Sequence, residues 1–498
     1  MSVPDSQIRK KWKNYVGDQM AEPLKYFKPS SLSELIDIVV DAKKNGYKAK
    51  AIGSGHSSSD IAITSDYMID THGLCTILDI TQMSLRENYA DKDNLFFVEG
   101  GIVLKNLIEF LDEKGKALIN MGAYTGQTIA GVVSTATHGS GIKLGAFPEY
   151  IEAILLLDED GVLHHIEPSP GRAISASKVK FSQVDQKHFI QSDEDFNAIG
   201  VSIGCMGIIY AVVIRVTDSY QLRETRRFSN WQDVKKELAK GTVLQNNRHY
   251  EVLVSPYNFK NKGQRCLVTE RNIPVPALKN HRFKRGHRNL AYELILSVIP
   301  DFILDAGMRI MVNHFPKIIP GLVQSLISTL SDKEYVDKSF KVLDLGKANN
   351  LAAYATEIAL PSDTYLAAVE EIISVVNTSV KNGGQYLTAP FSLRFVKTNS
   401  FYLAMQYGTK PDDFVCMIEF PTVSKTMGGM ELLARIESAL YSFGGIPHWG
   451  QVNHVGGTQQ ASLEKLYPEF QAWMRVYKKY CKTNLFQNDF SRRCTIEV

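Results

Sequence analysis

Apolar residues recur along this chain in two patterns, one at helical spacing and one as short continuous runs. Between residues 31 and 46 they fall at every third or fourth position, which predicts a helix with one buried face. Ser31 followed by Glu34 is typical of a capping box at its start, and Asn45-Gly46 marks its end. The same spacing predicts further helices at 104–111, 362–376, 430–443 and 462–480.

Short apolar runs predict strands at 67–69, 77–80, 96–98, 154–157, 163–166 and 208–216. The turn Asp158-Glu159-Asp160-Gly161 joins two of them into a hairpin over 151–166. Helices and strands in this order predict an α+β protein. A chain of 498 residues is too long for one core. Because glycine loops become rare after about residue 219, we expect domains at 1–218 and 219–456, and a C-terminal segment at 457–498.

The loop at 53–60, after an apolar run ending at Ile52, has the composition of a ligand-binding turn. It reads Gly53, Ser54, Gly55, His56, Ser57, Ser58, Ser59 and Asp60. Two glycines allow close approach of the backbone to a ligand, and successive N–H groups can form an anion-binding nest for a pyrophosphate. A tight surface turn is the alternative.

A second stretch, residues 120–141, carries almost no charge and many small residues. It contains Thr128, Gly131, Ser134, Thr135, Thr137, His138, Gly139 and Gly141. Glycine recurs too often for a regular helix or strand throughout. Small side chains allow close approach to a flat, buried cofactor, although a tightly packed core segment could have the same composition. A third glycine-rich segment, which contains Gly204 and Gly207, precedes the strand that begins at Ile208.

Composition and charge exclude several classes of protein. The formal net charge is +3, and no basic stripe interleaved with aromatic residues indicates nucleic-acid binding. The six cysteines are scattered without a C-x-x-C pair, which predicts reduced thiols and no metal site. The N-terminus lacks the apolar core of a signal peptide, so we expect a cytoplasmic protein.

A membrane contact is predicted for one region as the less favoured alternative. The apolar segment 290–330 is interrupted by charges and by Pro300, Pro316 and Pro320, which favours buried amphipathic helices. A basic run at 281–288 precedes it and keeps open a peripheral membrane contact through 281–330.

Taken together, these motifs resemble the flavoproteins of the vanillyl-alcohol oxidase and p-cresol methylhydroxylase type. The resemblance is closer to the branch of aldonolactone (L-gulonolactone) and alditol oxidases. It is carried by the loop 53–57, by 128–131 and 137–141, by 204–207, and by Leu393-Arg394 and 443–450. It implies an FAD-binding domain of two α/β subdomains, with a cap domain built on an antiparallel sheet flanked by helices.

The resemblance also implies which residues hold the cofactor. In this branch the histidine of the glycine loop is bonded covalently to the flavin 8α-methyl, and His56 stands at that position. No cysteine lies near Ala123-Tyr124, so we expect a single linkage. The other expected FAD-binding residues are Gly53, Ser54, Gly55, Ser57, Ser58, Thr128, Gly131, Ser134, Thr135, Thr137, His138, Gly139, Gly204, Gly207, Ile208 and Asn488.

The implied reaction transfers a hydride from a carbinol carbon to the flavin. Arginine suits the site because it stays charged when buried and stabilises the anionic reduced ring. We expect Arg394 in this role and His448 beside it. The family motif has lysine where this chain has Gln451, and glutamate where it has Ser392. Ser392 and Gln451 are therefore also candidate catalytic residues.

These two departures replace a cation and an anion by neutral groups, which suggests a substrate less polar than a free polyol or sugar lactone. Glu419 and His454 are candidates to compensate. The leading expectation is an FAD-linked oxidase of an alcohol that passes electrons to O2 and releases H2O2. A dehydrogenase with another acceptor, or a binding protein that has lost its chemistry, is the alternative.

Overall fold

The computed structural model describes residues 4–87, 89–169, 173, 181–259, 263–275, 301–329, 334–344, 353–410 and 412–498. The first of its sheets has the strand order β1-β4-β6-β5. The N-terminal strands are β1 (Gln7–Ile8), β2 (Trp12–Lys13), β3 (Met20–Ala21), β4 (Lys25–Phe27), β5 (Ala49–Ile52) and β6 (Tyr67–Asp70). Strands β4 and β5 both pair in parallel with β6. The glycine loop therefore leaves the carboxyl end of a parallel strand, where open α/β sheets bind ligands.

Helix α1 (Leu32–Lys44) connects β4 to β5 and confirms the helix predicted at 31–46. The Ser31 hydroxyl accepts a hydrogen bond from the Glu34 backbone N–H, as expected of an N-cap. The Glu34 carboxylate accepts its bond from the backbone of Ser30, one residue earlier than in a capping box. Leu35, which is fully buried, fixes the helix against the core.

A second sheet, with the order β12-β11-β10-β13-β8-β7, completes the part of the chain for which the resemblance implies FAD binding, hereafter the FAD-binding part. Its hairpin β10–β11 confirms the one predicted at 151–166. The strands of this part are β7 (Ile77–Leu78), β8 (Leu95–Glu99), β9 (Lys116–Ala117), β10 (Ile151–Leu157), β11 (Leu163–Glu167), β12 (Phe189–Gln191), β13 (Ile208–Arg215) and β14 (Thr217–Asp218). Its helices are α2 (Leu104–Glu113), α3 (Ile129–Ser134) and α4 (Asp193–Ile199).

The cap sheet has eight strands in the order β18-β15-β17-β16-β20-β21-β19-β22, all paired antiparallel. Its strands are β15 (Gln221–Asn230), β16 (His249–Asn258), β17 (Gln264–Asn272), β18 (Tyr335–Lys338), β19 (Ala353–Pro361), β20 (Phe391–Lys397), β21 (Phe414–Val423) and β22 (Ile446–Pro447). The helices of the cap are α5 (Trp231–Lys240), α6 (Thr242–Asn246), α7 (Asp301–His314), α8 (Ile319–Thr329), α9 (Ser339–Leu343), α10 (Tyr365–Gly383) and α11 (Gly429–Leu440). This arrangement confirms the predicted α+β fold with an antiparallel cap.

The two faces of the cap sheet differ in polarity because successive side chains of a strand point to opposite sides. Leu393, Ile418 and Ile358 belong to the apolar core that the cap shares with helices α5, α10 and α11. Their sequence neighbours Arg394 and Glu419 therefore lie on the opposite face. That face carries charged side chains from several strands.

The C-terminal region holds α12 (Leu463–Leu466), α13 (Phe470–Tyr480) and α14 (Asp489–Arg493). The prediction of one helix over 462–480 is wrong, because the chain leaves the helix at Tyr467-Pro468. Proline has no N–H for the helical ladder and restricts the residue before it. The buried Trp449, soon after β22, stacks on Tyr467 with ring centroids 5.3 Å apart.

The predicted membrane contact falls largely outside the described residues, which include neither 281–288 nor 290–300. Within the described ranges, no helix is long and apolar enough to cross a membrane. The six cysteines carry free thiols and five of them are buried, as their scattered spacing predicts. The domain boundaries at 218 and 456 stay predictions.

Candidate active site

The glycine loop and the second small-residue stretch line one cavity between the two sheets of the FAD-binding part and the segment after β22. Its volume is about 1070 Å³, which includes space open to solvent. Fifteen of the predicted site residues line it: Gly53, Ser54, Gly55, His56, Ser57, Thr128, Gly131, Ser134, Thr135, Thr137, Gly204, Gly207, Ile208, His448 and Gln451. Segments distant in sequence therefore meet at one cavity, in the places where the sequence predicts cofactor contacts.

The loop at 53–57 presents its backbone because side chains would not fit there. A Cβ built on Gly53 would lie 2.2 Å from Thr128 Oγ1, so the two cofactor stretches touch at this point. Gly55 has φ +65°, in the left-handed region that glycine adopts without strain, and a Cβ there would meet the Trp12 ring at 3.0 Å. Close packing against Thr128 and Trp12 explains the two glycines, and the loop lines the cavity where a pyrophosphate nest would be needed.

His56 is enclosed by two aromatic rings. The Tyr15 ring centroid lies 4.3 Å from that of His56, and the Tyr124 centroid lies 4.1 Å away on an interplanar angle of 49°. Burial lowers the pKa of His56 to about 4. The imidazole is therefore neutral at physiological pH, with one ring nitrogen free to act as a nucleophile.

Four of the predicted cofactor residues do not line the cavity. Ser58 is buried and its backbone N–H donates to the Gly450 carbonyl at 2.8 Å. His138 is buried behind the cavity wall, and Gly139 has no room for a Cβ beside the Asn120 amide. The side-chain amide of Asn488 donates to the carbonyls of residues 60, 61 and 63, so it fixes the backbone after the glycine loop.

His448 and Gln451 reach the cavity from the turn that follows β22. The His448 backbone N–H donates to the Glu357 carbonyl at 2.8 Å, which ties the turn to the cap sheet. Its ring Nδ1 accepts a hydrogen bond from the Gly450 N–H at 3.0 Å. Burial lowers the pKa of His448 to about 4, so this ring is also neutral near pH 7.

Arg394 lies on β20 and is bound by two carboxylates from neighbouring strands. Its Nη2 lies 2.6 Å from Glu357 Oε1 on β19 and 2.7 Å from Glu419 Oε2 on β21. Glu357 and Glu419 are direct partners in the register of those two strands. His138 Nε2 approaches the same Glu357 oxygen at 3.4 Å, and the rings of His138 and His448 lie 6.2 Å apart. The cluster is thus adjacent to the cavity through His448.

The two carboxylates have pKa values shifted in opposite directions. Burial works to raise the pKa of Glu357, but the Arg394 cation and His138 outweigh it and hold that pKa well below its usual range. Burial raises the pKa of Glu419, and Arg394 offsets this only in part. Paired titratable groups with pKa values pushed apart are typical of catalytic sites.

Sequence reasoning missed Glu357. The expectation that His454 compensates for the neutral residues Ser392 and Gln451 is wrong. His454 is half exposed, and its Nδ1 lies 2.9 Å from Glu437 Oε2, in a different cluster. The sequence feature that could have revealed Glu357 is its position as the one acidic residue in the apolar strand 353–361. Ser392 has a buried hydroxyl without a hydrogen-bond partner in the described part of the chain, and it lies directly opposite Glu419.

Glu357 also groups with two histidines in a way that could hold a metal ion. Ligand atoms of His138, Glu357 and His448 lie within 4.8 Å of one another. However, the Arg394 guanidinium already binds the Glu357 oxygen. A cation placed there would be repelled at short range, so the arrangement fits a charge cluster better than a metal centre.

Comparison with known proteins shows the family to which this chain belongs. The D-arabinono-1,4-lactone oxidase model matches residues 212–494, and the FAD binding domain model matches residues 23–167. L-gulono-1,4-lactone dehydrogenase of Mycobacterium tuberculosis is 25% identical over 490 residues, covering 97% of this chain and 98% of that protein. L-gulonolactone oxidase of Mus musculus is 22% identical over 481 residues, covering 96% and 97%.

The fold is shared with solved structures of lower sequence identity. A crystal structure of cholesterol oxidase from B. sterolicum superimposes with a TM-score of 0.76 at 12% identity, covering 98% of this chain and 97% of that one. The fold and the cavity define an FAD-dependent oxidoreductase of the vanillyl-alcohol oxidase and p-cresol methylhydroxylase type. The chain belongs to the D-arabinono-1,4-lactone oxidase family.

Proposed function

We propose that this protein oxidises a secondary hydroxyl of an aldono-1,4-lactone, with dioxygen accepting the electrons and leaving as H2O2. The observation that carries this is the Arg394 cluster beside the cavity, with two carboxylates on one guanidinium. Charged groups on an accessible face suit a substrate with several hydroxyls. The related lactone oxidases and dehydrogenases support the same substrate class.

One set of residues would hold the cofactor, and another set would bind the substrate. FAD supplies the hydride acceptor. The backbone of 53–57 would bind its pyrophosphate, and His56 would carry the single covalent bond to it. Arg394 would place positive charge where negative charge develops during the reaction. His448 and Gln451 would complete the wall between the cavity and the cap.

The cluster argues against the less polar substrate that Ser392 and Gln451 suggest. Although those two positions are neutral, Glu357 and Glu419 bring two carboxylates to the same guanidinium. An apolar alcohol would have to cover these groups without satisfying them, which costs free energy. A sugar lactone can instead donate hydrogen bonds to them.

A panel of substrates tests this assignment. We expect turnover with L-gulono-1,4-lactone or D-arabinono-1,4-lactone, and rates at least about 100-fold lower with apolar secondary alcohols of similar size. In air, each lactone oxidised should give one H2O2. A high rate with a dye acceptor and no peroxide would assign the dehydrogenase alternative, which the name of the mycobacterial relative favours. Faster turnover of the apolar alcohols would contradict the proposed substrate class.

We also propose that this enzyme touches membranes through the end of α7 and the turn after it. Ile310, Phe315 and Ile318 are between 42% and 61% exposed there, and Lys317 lies among them. Apolar side chains beside a cation suit the interface of an anionic bilayer. The double variant Phe315→Ser/Ile318→Ser should sediment less with vesicles containing one-quarter phosphatidylserine. Ile8→Ser is the control, because Ile8 on β1 is even more exposed and lies outside this region. Equal sedimentation of all three proteins would exclude the contact.

A further inference from the structure

The two carboxylates that bind Arg394 differ in how far they are enclosed. The Glu357 side chain is 3% exposed, whereas the Glu419 side chain is 27% exposed. Glu357 Oε1 is shared between Arg394 and His138. Glu419 binds Arg394 through Oε2, and within the described ranges no protein group is hydrogen-bonded to its Oε1. Glu419 is therefore the more exposed of the two carboxylates, and its Oε1 is left without a hydrogen-bond partner among the described protein groups.

Charged groups on three other strands and in the FAD-binding part act on the pKa of Glu419. Arg394 on β20 and His138 from the FAD-binding part lower its pKa, while Glu357 on β19 and Glu251 on β16 raise it. Burial adds to the second group, and the net effect is a raised pKa. A carboxylate with a raised pKa accepts a proton more readily, which is what a general base near neutral pH requires.

The neutral histidine at the cavity is a weaker candidate for that role. His448 has a pKa of about 4 because it is buried, so it holds a proton poorly. Its Nδ1 is also occupied by the Gly450 N–H. Arg394 cannot serve as a base because a guanidinium does not lose its proton in proteins.

We propose that Glu419 is the catalytic base that accepts the hydroxyl proton of the substrate. This rests on the proposed lactone oxidation. The carbinol C–H bond breaks and its hydride leaves to the flavin, the O–H bond breaks and its proton moves to Glu419 Oε1, and the carbinol becomes a carbonyl. Dioxygen then takes the two electrons and two protons to become H2O2, which returns Glu419 to its charged form.

The strand register offers a second position, residue 392, from which a carboxylate can be introduced beside position 419. Ser392 on β20 is the direct cross-strand partner of Glu419 on β21. Side chains at such positions have Cβ atoms about 4.5–5.5 Å apart on one face. The Ser392 hydroxyl is buried and has no hydrogen-bond partner within the described part of the chain, so its replacement breaks no hydrogen bond. A glutamate at 392 would place a carboxylate on the same face of the sheet, directly opposite position 419.

Anaerobic stopped-flow of flavin reduction by the best lactone tests the proposal. Glu419→Gln keeps the shape of the side chain and should slow reduction by at least about 100-fold. The wild-type rate should fall as pH decreases through the pKa of Glu419, and this acidic limb should be absent in the variant. Glu251→Gln is the matched control, since Glu251 lies on the same face at 26% side-chain exposure and binds Arg271. It should reduce within about threefold of wild type.

Two further readouts do not depend on turnover or on one variant. Because the pKa of Glu419 is raised, its charged form opposes folding near pH 8, and Glu419→Gln should melt at the same temperature as wild type or higher. Ser392→Glu/Glu419→Ser should regain at least tenfold of the rate lost in Glu419→Ser. A Glu419→Gln rate within threefold of wild type, or a melting point several degrees lower, would overturn the proposal. If no lactone reduces wild-type flavin, the proposed function fails first and this inference with it.

Discussion

Replacing Arg394 by Met is expected to destabilise the protein by about 3–5 kcal/mol near pH 8, because two enclosed carboxylates then face each other without a cation. In the wild type, Arg394 holds the pKa of Glu357 below its usual range. Glu357 therefore contributes stability above its unfolded pKa, and that contribution is lost as pH falls through the folded value. In the variant the pKa of Glu357 is raised instead, so the deficit should be largest at alkaline pH and shrink towards pH 4. Urea unfolding at pH 5 and pH 8 measures the difference.

The same variant should lose catalysis beyond its loss of stability. Removing one preorganised charge from an active site typically costs about 100- to 1,000-fold in rate. Arg271→Met is the matched control, because Arg271 is 3% exposed and bridges Glu224 and Glu251 on the same face. It should destabilise the fold to a similar extent while flavin reduction stays near the wild-type rate. Equal loss of flavin reduction in both variants would show that the Arg394 effect is structural.

His56→Ala is expected to abolish covalent flavin entirely while leaving the cavity intact. The imidazole is neutral and packs against the Tyr15 and Tyr124 rings, so its unprotonated nitrogen can act as a nucleophile. The alanine variant should bind FAD only through the contacts of the glycine loop and release it on denaturation. Flavin measured in the acid supernatant and in the pellet distinguishes the two forms. His72→Ala is a control, since His72 binds Ser54 at 3.0 Å and should leave the flavin covalently bound. Covalent flavin in His56→Ala would place the linkage elsewhere.

The cofactor side of the site could be predicted from the sequence because its signal is local. Glycine and hydroxyl residues at 53–57 and 128–137 form their own backbone cradle, and short-range composition reveals it. Asn488 is different: it lies in a polar segment that fits a cofactor contact, yet its amide is used to hold three carbonyls.

The substrate side depends on strand register, which local patterns do not determine. Glu357 and Glu419 meet because β19 pairs with β21 in one register, and a shift of β19 by one residue would turn Glu357 to the apolar face. When Ser392 and Gln451 are considered without Glu357 and Glu419, the sequence therefore suggests a site without charged groups. The prediction for His454 is wrong for a similar reason. Its ring is hydrogen-bonded to Glu437 on helix α11, a partner that the local sequence does not reveal.

The most direct test of the account is one set of flavin spectra recorded on the purified protein. The first is taken before and after acid precipitation, and the second after adding L-gulono-1,4-lactone or D-arabinono-1,4-lactone under argon. We predict flavin absorbance that stays with the precipitated chain, and bleaching of that flavin by at least one lactone with recovery on admission of air. A protein that carries flavin but is bleached by no lactone would contradict the proposed function. Absence of flavin from every preparation would contradict the assignment of the cavity itself.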